Sequence, residues 1–355
     1  AVAASVQVDI RVCGLVLTML PQLVRDGAWG PFRLESSVAE GRFLVAAREV
    51  KAGELLLETA PDVGVVNESG VNRVCARCFH SDGPVFEIRC GQCEYAYYCS
   101  EACKVEASSL HSVECAVLAR LRKSQLQLAG RNRNLLTSLR LLLQVLYYRR
   151  RTPDETLLRD LCDGLAAFRL QPSWLERSRR YQAVAECFAE ICGDDFQWTS
   201  EEVFAVLGMA DSNVFSLWIS KAQHRTGCVM YGVASLLNHS CIPNVARVQR
   251  GCRAELFALR DVGEGEPLCL AYANPKMERT VRRRGLSSDY GFDCQCARCS
   301  GDEAVLPEMC PWHLGYLIPH EGGAWCSVCA RGETRRESRE ASATSEKAVI
   351  SIGHS

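Results

Sequence analysis

The chain has 355 residues, 48% hydrophobic and 23% charged, a composition for a globular protein with about two or three domains' worth of core rather than for a disordered or fibrous one. Forty-one Lys and Arg against 42 Asp and Glu leave a net charge of −1, so no global positive field exists to hold nucleic acid. The apolar stretch Val12–Leu20 is nine residues long, too short to cross a bilayer, and with Arg11 before it makes only a weak signal-peptide look-alike.

In chain order, residues 1–34 give no clear pattern. Arg42-Phe43-Leu44-Val45 and Leu55-Leu56-Leu57-Glu58 read as strands around the turn Lys51-Ala52-Gly53. Residues 75–115 are a Cys/His cluster. From about 133 the period becomes helical, with Leu135, Leu139, Leu142, Leu143 and Leu146 on one face. Residues 180–192 predict a second helix with the stripe Val184, Cys187, Phe188 and Ile191. Thr199 and Glu202 form a capping-box pattern that starts a third. Strands return at Val245–Gln249 and Ala254–Ala258, flanking Arg250-Gly251 as a hairpin. Leu268–Tyr272 is a further strand after Gly263-Glu264-Gly265, and 276–286 is a basic helix. The runs Arg149-Arg150-Arg151 and Arg282-Arg283-Arg284 read as solvated surface. From Arg331 the chain is polar and reads as a disordered tail.

Twenty-one cysteines imply either disulfides in an oxidising compartment or metal thiolates in a reducing one, and the spacing favours metal. Cys75-x2-Cys78, Cys90-x2-Cys93, Cys99-x3-Cys103 and His111-x3-Cys115 supply eight ligands, enough for two tetrahedral zinc sites. Zinc bonds would provide much of the folding energy of so apolar-poor a segment. His80 is off this pattern and reads as surface. Cys310-x2-His313 and Cys326-x2-Cys329 suit a zinc ribbon. Cys13, Cys162, Cys187, Cys192, Cys228, Cys252 and Cys269 show no ligand pairing and read as small buried hydrophobes.

Three motifs, in order, carry a family resemblance: the Cys/His cluster with Tyr97-Tyr98-Cys99-Ser100-Glu101-Ala102-Cys103, the segment Asn238-His239-Ser240-Cys241-Ile242-Pro243-Asn244, and Phe292-Asp293-Cys294-Gln295-Cys296-Ala297-Arg298-Cys299. They resemble the MYND finger, the N-H-S-C-x-P-N signature of SET domains and the post-SET cysteines. With Gly41, Leu44 and Ala46 upstream, residues 35–300 resemble the SET–MYND (SMYD) family of protein-lysine methyltransferases, arthropod-type. The resemblance implies an α+β fold in which a β-rich SET core with a pseudoknot carries an inserted MYND finger, a helical insert and a post-SET zinc site. It divides the chain into an extension (1–34), the first SET part (35–74), the finger (75–115), the insert (116–212), the SET core (213–275), the post-SET region (276–300), the zinc ribbon (301–330) and the tail (331–355).

The resemblance also implies roles. Finger sites interleave, so Cys75, Cys78, Cys99 and Cys103 would hold one zinc, and Cys90, Cys93, His111 and Cys115 another. Cys241 would join Cys294, Cys296 and Cys299 at a third, with the ribbon a fourth. Tyr272 would orient the lysine amine and Phe292 line its channel, both touching S-adenosylmethionine. Arg42, Asn213, Ser235, Asn238 and His239 are further cofactor contacts, although Asn213 also reads as a helix C-cap. Phe43 stands where many SET domains have glycine, which narrows the cofactor pocket, and Ile242 replaces a common acidic residue. The implied activity is transfer of a methyl group to a protein lysine, histone or other. The implied partners are a protein substrate and, at the finger, proline-containing peptides. No nucleic acid or membrane is expected, the chain is expected to be a monomer, and the location is cytoplasm and nucleus. The rival is a catalytically silent adaptor in transcriptional regulation.

Overall fold

The computed structural model of the chain describes residues 30–37, 40–81, 85–123, 135–151, 174–192, 199–218, 225–301, 305–311, 315–328 and 349–350. The apolar stretch Val12–Leu20, Cys13, Cys162, His313, Cys329 and most of the polar tail lie outside these residues, as do the side chains of Leu146 and Arg149–Arg151.

Strands β1 (Phe32–Ser37) and β2 (Gly41–Ala46) pair antiparallel, followed by β3 (Leu55–Thr59) and β4 (Val63–Val66). The turn before β3 needs Gly53, at φ 78°, because an added Cβ would sit 2.0 Å from the Pro319 carbonyl oxygen. A small pair, β5 (Ile88–Arg89) and β6 (Tyr97–Tyr98), leads into helix α1 (Glu101–Lys123). This helix runs straight through position 116, where the finger was expected to end, so one rigid element carries Cys103, His111 and Cys115 and then packs as part of the helical layer.

Helices α2 (Leu135–Arg151), α3 (Trp174–Cys192) and α4 (Ser200–Asn213) follow. Where their side chains are described, the expected stripes face inward, Leu135 lying outside those described: Leu139, Leu142 and Leu143 are fully buried, and Val184, Cys187, Phe188 and Ile191 are buried. Each such side chain contributes about 1.5–3 kcal/mol through burial. The expected capping box is present, Thr199 and Glu202 exchanging bonds in both directions.

Strands β7 (Val214–Trp218) and β8 (Arg225–Met230) pair with each other, and β8 also pairs with β4. A two-residue strand β9 (Asn238–His239) precedes the hairpin β10 (Val245–Arg250) and β11 (Arg253–Ala258), and β11 pairs in turn with β3. The strand expected over Leu268–Tyr272 shrinks to β12 (Cys269–Leu270), parallel to β9. Side chains divert its backbone: the Cys269 N–H goes to Asn244 Oδ1 (2.8 Å) and the Tyr272 N–H to His239 Nδ1 (2.9 Å). Helix α5 (Arg279–Tyr290) ends on Gly291 in the left-handed region, φ 78°, which turns the chain into the last cysteines and the short α6 (Ala297–Ser300). Strands β13 (Leu317–His320) and β14 (Gly323–Cys326) form a further hairpin.

Two large cores result. One joins the finger to the α1–α4 layer, and the other lies within the β-strands around Leu44, Val50, Val245 and Leu256. The second is the scaffold on which β9 and β12 bring Asn238, His239 and Tyr272 together. Among the described residues no helix is long and apolar enough to cross a membrane.

Candidate functional site

Two ligand groups form in the finger. Cys75, Cys78, Cys99 and Cys103 bring their sulfurs within 4.8 Å of one another, and Cys90, Cys93, His111 and Cys115 do the same with one His nitrogen. The ligand pairs interleave along the chain. Each Cys-x2-Cys knuckle is closed by the residue after it: Phe79 (φ 58°) and Glu94 (φ 57°) hold left-handed backbones, and their N–H groups donate to the carbonyls of Cys75 (2.9 Å) and Cys90 (3.0 Å). Non-glycine residues reach that region at a cost, which their tightly held surroundings offset. Helix α1 places His111 and Cys115 on one face, one turn apart.

Behind His111 stands a carboxylate. Its Nδ1 lies 3.1 Å from Glu114 Oε1, which leaves Nε2 for the metal group, 3.5 Å from Cys93 Sγ. Burial works against a charged Glu114, but the Arg140 guanidinium and the His111 bond outweigh it and hold the carboxyl at about 2. Arg140 comes from α2 and also donates to the Val66 carbonyl in β4 (3.3 Å), so the finger is tied to the β-scaffold. His80 is exposed.

The third group joins distant segments. Cys241, just after β9, meets Cys294, Cys296 and Cys299 with all four sulfurs within 4.8 Å. The donor sets, two of four cysteines and one of three cysteines and a histidine, are those of closed structural zinc sites. In the ribbon region Cys310 and Cys326 are buried in one small core, and the Val328 N–H donates to Cys326 Sγ (3.4 Å). Its other two expected ligands lie outside the described residues.

The third group closes one side of a cavity of about 720 Å³. Asn238, His239, Tyr272 and Phe292 stand on its wall, together with Phe43 and Cys269. The His239 ring lies 5.3 Å from that of Tyr272 and 5.9 Å from that of Phe292, centroid to centroid. The Asn238 side-chain amide donates to the Glu40 carbonyl (3.0 Å), and the Tyr272 hydroxyl donates to the Leu237 carbonyl (2.6 Å). Burial raises the Tyr272 hydroxyl above its usual range, so it stays protonated, and pushes the Cys269 thiol up to about 12.

Arg42, Asn213 and Ser235 do not line this cavity. The Asn213 amide donates to the Met209 carbonyl (2.8 Å) at the end of α4, as a helix-terminal residue does, and its own carbonyl accepts from Ser235 Oγ (3.3 Å). Two residues that sequence reasoning passed over stand at the site. The Tyr290 ring packs on Tyr272, centroids 4.7 Å apart, and also lines a second cleft of about 770 Å³ below α3 and α4. Its signal was an aromatic two residues before Phe292, across a glycine helix stop. Arg282, expected on the surface, is 3% exposed and points at the sulfurs of the third group. The phase of α5 carried that signal, since Arg282 and Leu286 share its buried face.

Interleaved candidate metal ligands, a cysteine flap tied back to a β-scaffold and a cavity at their junction define an α+β protein whose cysteine groups could hold zinc. The chain belongs to the SET domain family, whose pattern matches residues 41–273. Its relatives include the histone-lysine N-methyltransferase ASHR1 of Arabidopsis thaliana, 25% identical over 88% of this chain and 67% of that one. A SET and MYND domain-containing protein of Dictyostelium discoideum is 25% identical over 79% and 84%, and human SMYD3, a histone-lysine N-methyltransferase, 28% over 79% and 66%. This chain thus spans about two thirds of the length of two of these relatives. A solved structure, Rubisco LSMT bound to AdoMet, overlaps 79% of this chain and 57% of that one at 15% identity and a TM-score of 0.43.

Proposed function

We propose that the chain is an S-adenosylmethionine-dependent protein-lysine N-methyltransferase acting on a histone or another protein. The observation that carries this reading is the cavity beside Tyr272, closed by the flap that Cys241 shares with Cys294, Cys296 and Cys299. Its volume falls in the range of small-molecule sites, about 300–1,000 Å³. The lining suits the cofactor: aromatic rings from Tyr272 and Phe292 for a cationic sulfonium, and a polar edge from the Asn238 side-chain carbonyl.

S-adenosylmethionine, when bound, supplies an electrophilic methyl group. The chain's own residues must align a neutral amine with it. A free lysine titrates near pH ~10.4, so the amine is neutralised by leaving water for an apolar channel. We assign Tyr272 and Tyr290 to that channel and the second cleft to the substrate segment around the lysine. Because the Tyr272 O–H is already donated to Leu237, its oxygen can accept from the amine and orient it. Kept protonated by burial, Tyr272 acts by position and not as a base.

The MYND-like finger is assigned to contact with protein, proline-containing peptides in particular, on the likeness of its ligand order to that class. A fourth zinc at Cys310, His313, Cys326 and Cys329 is supported by the Val328 N–H donated to Cys326 Sγ. The chain is assigned to cytoplasm and nucleus as a monomer without a nucleic-acid partner. The three thiolate groups, which need reduced cysteines, support the location, and the net charge of −1 supports the lack of a nucleic-acid partner. Phe43 on the cavity wall favours the second reading, a silent adaptor.

Incubating the zinc-loaded protein with tritiated S-adenosylmethionine and a protein extract tests the reading. Label on lysine, absent with a Tyr272→Phe variant, is expected. Cofactor binding without any transferred label would favour the adaptor.

A further inference from the structure

We propose that Arg282 is a positioning residue of the proposed methyl-transfer site, acting through the sulfurs of Cys241 and Cys299 to hold the flap against the cavity. The proposal rests on the methyltransferase reading for its consequence, but its test at the metal does not.

Four thiolates around a divalent cation carry an excess of two negative charges, in a place that helix α5 and the flap shield from water. That charge needs donors. Arg282 supplies them from one side. Its Nε lies 3.3 Å from Cys241 Sγ and its Nη2 3.8 Å from Cys299 Sγ, while Nη1 donates to the Met277 carbonyl and fixes the head. The two sulfurs it reaches belong to the two segments the ion would join: Cys241 from the β9 end and Cys299 from the flap. Their own separation is 3.6 Å. The fork geometry of a guanidinium spans such a pair, whereas an ammonium addresses one sulfur at a time.

From the other side His239 completes the arrangement. Its Nδ1 accepts the Tyr272 N–H at 2.9 Å, so the ring proton sits on Nε2, 3.2 Å from Cys241 Sγ. One sulfur is therefore held between Arg282 and His239, and His239 is held to Tyr272. A loosened Cys241 frees both the flap that carries Phe292 and the ring against which Tyr272 packs. The neighbour Arg283 shows the contrast: it pairs with Asp293 at the surface and touches no sulfur.

The test compares full-length, zinc-loaded Arg282→Met, Arg282→Lys and Arg283→Met proteins. The rate at which a chromophoric chelator takes up each zinc equivalent is measured, and then the affinity for S-adenosylmethionine by calorimetry. Arg282→Met should release one zinc equivalent about 10- to 100-fold faster, with the remaining equivalents unchanged. Its cofactor affinity should fall by about 10-fold or more in step. Arg282→Lys should recover part of both, and Arg283→Met should match the parent. Release of every equivalent at the parent rate overturns the proposal, as does uniform acceleration of all of them, which would report general loosening. If Arg282→Met cannot be purified folded, Arg282→Lys decides: parent-like release rates overturn the role. A parent protein that binds no cofactor sinks the methyltransferase reading, while the order of zinc release still decides Arg282.

Discussion

Arg140 grips Glu114 through two hydrogen bonds, Nε to Oε2 at 3.0 Å and Nη2 to Oε1 at 2.8 Å, with both side chains almost wholly buried. The pair joins His111 of the finger's second ligand group to a helix of the insert and, through Val66, to the β-scaffold.

Breaking that pair from one end leaves a buried charge alone. Arg140→Met should destabilise the protein by about 3–5 kcal/mol and speed zinc loss from the His111 group. Glu114→Gln combined with Arg140→Met should recover a large part of that loss. Denaturant unfolding of the single and double variants measures the coupling. A single variant within about 1 kcal/mol of the parent contradicts the tie.

Tyr272→Phe removes one hydroxyl and its bond to the Leu237 carbonyl while keeping the ring against His239 and Tyr290. The turnover number should fall by about 10²-fold, because the amine loses the oxygen that accepts its N–H and orients it. Cofactor affinity should change only a few-fold. Normal turnover would show that the hydroxyl does not orient the amine.

Cys241→Ala should cost one zinc ion per chain by native mass spectrometry, and the flap with it. Three ions are expected from the grouped ligands, and a fourth if the Cys310 region also binds. Full retention of zinc would separate Cys241 from the flap cysteines.

Asp62, beside β4, accepts the Gly232 N–H (2.7 Å), yet burial outweighs that bond and raises its carboxyl to about 6. A raised carboxyl favours the fold while protonated. The stability it lends is full below its unfolded value near pH 4 and is lost as pH rises through about 6. The stability difference between the parent and Asp62→Asn should change by about 2–3 kcal/mol across that window. Taking the difference cancels the contribution of the zinc sites. A flat difference from pH 4 to pH 7 contradicts the burial.

What could be read in advance followed from chemistry that dictates spacing. Thiolates on a shared ion must come in close pairs, so Cys75 to Cys115 announced their groups. The Arg250-Gly251 turn announced the β10–β11 hairpin, and the leucine stripe of α2 announced its buried face. What stayed hidden depends on contacts between distant segments. Only the phase of α5, which sets Arg282 one turn before Leu286, distinguishes Arg282 from Arg283, and which face of that helix is buried is decided by segments packed elsewhere. Glu114 and Arg140 meet across two helices. The strand at 268–272 looked longer than it is because local pattern cannot show that Asn244 and His239 take its backbone donors. Asn213 carried two meanings, and its amide is committed to the end of α4.

Calorimetric titration of S-adenosylmethionine into zinc-loaded parent protein and into Cys241→Ala tests the central claim most directly. One cofactor per chain at micromolar affinity in the parent, and none in the variant, is the outcome that follows from a cavity closed by the shared cysteine group. Absence of binding in the parent, or equal binding in both, would contradict it.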